Sequence, residues 1–85
     1  MPEKNEATRM QAIREENRKL RYLRFMVDLA IQEIRAGTFT LDQAQEVAYN
    51  IRSQALQLFP GKETAFDLIY RPRFQRAITE TFELH

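Results

Sequence analysis

The 85-residue sequence predicts an all-α fold, a small helical bundle, and three observations carry that reading. Apolar residues recur at alternating steps of three and four, the period of a helix face rather than of a strand. Glycine and proline occupy only two and three positions, and apart from Pro2 near the start they separate the periodic stretches. Thr40 and Gln43 stand at the head of one such stretch with the spacing of a capping box. The expected arrangement is a long N-terminal helix packed antiparallel to a second helix and closed by two short C-terminal helices.

The first helix is expected from near Pro2 to Ala36. Pro2 suits a first helical turn, where its missing N–H costs nothing, and Gly37 suits the left-handed cap that follows. Within it Met10, Ile13, Asn17, Leu20, Arg24, Val27, Ile31 and Ile34 form a heptad-like seam with polar residues at two of its positions. Thr40 then caps a second helix, with Phe39 placed to pack back on its first turn. Leu41, Ala44, Ala48, Ile51, Ala55 and Leu58 make its seam, and the alanines let a facing helix approach closely. The short Gly37–Thr40 connection makes the two helices antiparallel neighbours. The alanine seam is therefore expected on Leu23, Val27, Ala30 and Ile34.

Pro60-Gly61 ends the second helix. A third is expected over about Lys62 to Tyr70, with Phe66, Ile69 and Tyr70 facing inward. Arg71-Pro72 is expected to break it, because a residue before proline avoids helical geometry. Pro72 then opens a fourth helix whose Phe74, Ile78 and Phe82 form one apolar face.

Length divides the chain further. A helix from Pro2 to Ala36 spans roughly 50 Å at 1.5 Å per residue, whereas a compact chain of this size is only about 30 Å across. Residues 1–19 are therefore expected to project or fray as a basic helical extension, and residues 20–85 to form the helical domain. From Leu20 onward the first helix is apolar on most of its circumference, which ordinarily means burial on several sides. Short neighbours leave part of that circumference to be covered by something else.

Composition narrows the chemistry. The chain has no cysteine and a single histidine, His85, which removes disulfides, zinc fingers and thiol catalysis. General acid–base work needs a histidine or a carboxylate in a dry pocket, and the sequence offers neither in a catalytic setting. Gly61-Lys62-Glu63-Thr64 superficially resembles the end of a phosphate-binding loop. That motif needs Ser or Thr directly after the lysine and a glycine five residues before Gly61, where this chain has Glu63 and Leu56. No catalytic residue, cofactor, metal or small-molecule substrate is expected. The most apolar stretch, Tyr22 to Ile31, has half the length of a membrane span and contains Arg24 and Asp28. No apolar run follows the first residues as in a signal peptide. A cytoplasmic protein that makes no use of the membrane is expected.

Net charge is +1, but residues 1–24 carry about +3 and residues 25–70 about −3. This polarity suits an acidic partner or a second copy better than a nucleic acid. A chain this short buries only about 60–65% of its unfolded surface, and without disulfides or metals self-association is the supplement that remains. The expected function is a non-catalytic helical protein–protein interaction module, a homodimer or a binder of a helical partner, acting through the first helix. Its expected interface is Met10, Ile13, Glu16, Asn17, Leu20, Arg21, Leu23, Val27 and Ile31. Asn17 would fix register and Glu16–Arg21 would pair between parallel chains in a coiled coil. The alternative is a small nucleic-acid-associated protein that uses the Arg14–Arg24 basic cluster and Arg71/Arg73 on phosphates. For that reading the anion or partner surface is Arg14, Arg18, Tyr70, Arg71 and Arg73, where aromatics interleave with arginine.

Overall fold

The structure is a computed structural model that describes the backbone of residues 2–83 and side chains from Glu6 onward. His85, the one histidine, lies outside the described residues. Four helices follow one another: α1 (Pro2–Arg35), α2 (Leu41–Leu58), α3 (Glu63–Ile69) and α4 (Arg71–Phe82), with no strand among the described residues.

Each boundary has a local cause. α1 stops because Gly37 turns to φ +77, which a side chain would oppose, and its N–H returns to the Ile34 carbonyl at 3.1 Å. Thr40 caps α2 reciprocally with Gln43. The Thr40 Oγ1 accepts from the Gln43 N–H at 3.2 Å, and the Gln43 Oε1 accepts from the Thr40 N–H at 2.9 Å. α2 closes with the Phe59 N–H on the Ala55 carbonyl, and Gly61 at φ +79 turns the chain into α3. The break between α3 and α4 falls at Tyr70, one residue earlier than the sequence suggests, and Arg71 is already the first residue of α4. The cause is still Pro72, which has no N–H to continue the helical ladder of α3.

The packing is an up-down-up bundle of α1, α2 and α4, with α3 lying in the crossover between α2 and α4. α2 returns antiparallel beside α1 through the tight turn at Gly37. α4 runs parallel to α1, as two ion pairs establish: Asp28 with Arg73 at 2.7 Å, and Arg35 with Glu80 at 2.8 Å. Both helices advance by seven residues between these pairs, so their directions agree. α4 is thus a full member of the bundle along α1 and does more than close its end. α3 touches α2 and α4 but has no backbone approach to α1.

The core sits where the three long helices meet. Leu23, Val27, Ala30, Ile31 and Ile34 of α1 are buried against Ala44 and Ala55 of α2 and Phe74, Ala77 and Ile78 of α4. Phe66 and Tyr70 cap it at one end, with ring centroids 5.3 Å apart and planes tilted by 42°. Ala44, Ala55 and Ala77 are almost fully enclosed, so small residues on α2 and α4 allow the close approach of helix axes. The expectation that Ile69 faces inward is corrected: it is 58% exposed. With α3 held away from α1, Phe66 and Tyr70 suffice to fill the space and Ile69 is left at the edge.

α2 and α3 are tied by a two-point ion pair from Arg52 Nε and Nη2 to the Asp67 carboxylate, at 2.9 and 3.2 Å. Those hydrogen bonds, helped by the nearby Arg52 and Arg71 charges, hold the Asp67 carboxyl below its ordinary range, and the same pair raises Arg52. A depressed folded pKa means stability that is present above the unfolded value, about 3.9, and lost as pH falls through the folded one. Asp67→Asn should therefore be less stable than the wild type at pH 7. Its stability should fall less than the wild type's on acidification below pH 4, as followed by helical circular dichroism in urea.

Candidate functional site

The molecule is elongated, with extents of 58 × 22 × 16 Å, because α1 outruns the bundle. Side chains from Glu6 to Arg18 are all exposed, and packing against α2 and α4 begins only near Leu20. α1 is helical without interruption from Pro2, so its N-terminal half stands out from the end of the bundle capped by α3.

The expected interface divides sharply in this geometry. Leu23, Val27 and Ile31 are buried in the chain's own core, so they are corrected from interface residues to core residues. The seam is apolar there because α2 and α4 cover it. Leu20 is half-buried at the base of the projection. Met10, Ile13, Glu16, Asn17 and Arg21 are exposed, but the part of the seam left uncovered is under two heptads, short for a coiled coil. Beside Leu20, where α3 stays clear of α1, lies an apolar cleft of about 280 Å³ lined by Leu23, Leu56, Phe59 and Ile69.

The second expected surface is also redistributed. Tyr70 is buried against Phe66 and leaves the candidate set. Arg73 is engaged with Asp28 on α1, which supplies the carboxylate that offsets a cation at a helix start. Arg71, Arg14 and Arg18 remain exposed. Arg14 and Arg18 lie on the projecting part of α1. Arg71, two residues before the partner of Asp28, lies beside the bundle, so the three do not form one compact anion site. A groove of about 670 Å³ between α2 and α4 is lined by Tyr49, Arg52, Arg71 and Gln75, and its Arg52 is committed to Asp67.

The part of that apolar circumference which the expected interface omits is on the back of α1. Tyr22, Phe25 and Leu29 are 53, 63 and 43% exposed. One residue turns a helix by about 100°, so Phe25 and Leu29, each two positions from the enclosed Val27, point away from the core. Their steps of three and four align them with Tyr22 in one stripe. Isolated exposed apolar residues are ordinary, but two aromatics and a leucine on one face of one helix form a contiguous patch. The signal was present in the sequence as a second three-four series opposite the seam.

Among the described residues no buried polar side chain lacks a partner, no group of three or more acidic, histidine or cysteine side chains is placed to hold a metal, and no helix is long and apolar enough to cross a membrane. The chain matches no protein-family model, no curated protein and no solved structure.

Proposed function

We propose that this chain is a non-catalytic helical protein–protein interaction module that self-associates through α1. The observation that carries the reading is the Tyr22, Phe25 and Leu29 stripe, an apolar face on the side of α1 opposite the core. Water-exposed aromatic area of this kind is costly to maintain, and aromatic anchors dominate the energetics of interfaces. The projecting half of α1 adds length, and the basic excess of residues 1–24, concentrated in Lys19, Arg21 and Arg24 at its base, opposes the acidic balance of residues 25–70.

Sedimentation equilibrium over a range of concentration tests this, with the full chain compared to a chain lacking residues 1–16. A dimer in both species supports the stripe as the contact. A dimer lost on truncation returns the contact to Met10 and Ile13, and a monomer in both rules out self-association. The nucleic-acid reading has lost Tyr70 to the core and Arg73 to an ion pair. It keeps the exposed arginines of the Arg14–Arg24 cluster and Arg71, and a phosphate-dependent association that falls steeply with salt would favour it.

A further inference from the structure

The geometry points to an antiparallel, two-fold α1–α1 contact with a second copy of this chain, its axis crossing the helix between Phe25 and Met26 and its rim closed by Arg18 of each copy on Glu33 of the other. This rests on the self-association reading and adds its direction and register.

The argument starts from symmetry. A homodimer closes most simply by placing one patch on itself about a two-fold axis. The stripe has such a centre: Tyr22 and Leu29 stand at equal distances on either side of the point between Phe25 and Met26. Antiparallel pairing there sets each Tyr22 against Leu29 of the second copy and brings the two Phe25 rings together beside Met26, a thioether suited to aromatic contact.

Charge then selects among the registers. In this register Arg18 and Glu33 of opposite copies reach the same level, once at each end of the patch. Both are exposed on α1, and neither forms an ion pair within its own chain among the described residues. A parallel pairing in register sets Arg18 on Arg18 and Glu33 on Glu33, which repel. The antiparallel overlap covers residues 16–35, about 30 Å of helix. That leaves the projecting residues before Glu16 outside the contact.

Size sets the expected strength. With two aromatics and a leucine about half-exposed, the apolar patch is on the order of 300 Å² per copy. Arg18, Gln32 and Glu33 at its rim bring the total near the lower edge of specific interfaces. Reversible, concentration-dependent dimerisation follows, with little response to salt, because the rim pairs are solvent-exposed and contribute little.

The absence of cysteine makes a clean test possible. Arg18→Cys and Glu33→Cys, both at exposed positions, are made in the full chain and treated with a short bis-maleimide, separately and mixed. The antiparallel register puts a residue 18 within reach of residue 33 on the other copy, while like positions lie about 22 Å apart along the axis. Cross-linked dimer in the mixture and not in either variant alone is the expected result. Cross-linking of each variant alone establishes a parallel dimer and overturns the register. A mixture that fails to cross-link while sedimentation still gives a dimer overturns it as well, with self-association intact. A monomer by sedimentation at every concentration overturns both readings together.

Discussion

Ile34→Ala is expected to lower the stability of the fold by about 3 kcal/mol, within the range for isoleucine truncated in a core. Ile34 is fully enclosed in the last turn of α1, as is Val27 two turns earlier on the same face. Ala44 and Ala77 of the same core are fully enclosed and already minimal, and a close-packed core relaxes only partly into a space left by truncation. A chain of 85 residues has a total stability of about 4–13 kcal/mol, so this one change removes a large share. At about 4–8 °C per kcal/mol for a domain of this size, the thermal midpoint should fall by roughly 12–24 °C, read by circular dichroism at 222 nm. Ile34→Val, which keeps most of the volume, should cost only about 1 kcal/mol. A fall of less than 1 kcal/mol for the alanine variant contradicts the packing of α1 described above.

Phe25→Glu should act in the opposite way, leaving the fold and breaking the dimer. Phe25 is 63% exposed and contributes no enclosed surface to the core, so the monomer should unfold at an unchanged or slightly higher midpoint at low protein concentration. In the dimer the substitution places two carboxylates beside the two-fold axis in place of two aromatic rings. An aromatic anchor at the centre of an interface is worth about 2 kcal/mol or more. Because each dimer carries the change twice, the loss is about 4 kcal/mol, a dissociation constant roughly 10³-fold weaker. The pair of results distinguishes the two faces of α1: Ile34 governs folding and Phe25 governs assembly. A Phe25→Glu chain with unaltered mass at micromolar concentration contradicts the assignment of the stripe.

Local chemistry was the legible part of the fold. Gly37, the Thr40–Gln43 box and Pro60-Gly61 mark boundaries through the backbone conformation or capping bond that each residue imposes within a few positions. Such signals need no knowledge of the rest of the chain. Ile69 stands three positions from Phe66, the spacing of a shared helix face, and so its spacing predicts burial; the structure leaves it 58% exposed because no part of α1 approaches α3 to cover it. Only the distance of α3 from α1 decides which side chain is buried.

The candidate site was less legible for a related reason. An apolar series such as Leu20, Val27, Ile31 and Ile34 looks the same whether a helix of its own chain or of another chain covers it. The sequence accordingly offers Leu23 and Val27 both to the alanine face of α2 and to a partner, and the structure places them with Ala44 and Ala55 in the chain's own core. Arg73 and Asp28 stand 45 residues apart, and nothing in either local sequence announces their pairing, so an engaged arginine looked available. Tyr22, Phe25 and Leu29 carry an ordinary helical spacing. The apolar circumference from Leu20 onward shows that some face is left over, and the packing of α2 and α4 decides that it is this one.

Sedimentation equilibrium of the chain lacking residues 1–16, at high salt and across micromolar concentrations, tests the assembly through the back of α1 most directly. That chain loses Met10 and Ile13 yet keeps the whole stripe and both rim charges, so a dimer of nearly full-length affinity is expected. A monomer at every concentration, with the helical content of the bundle retained, contradicts it.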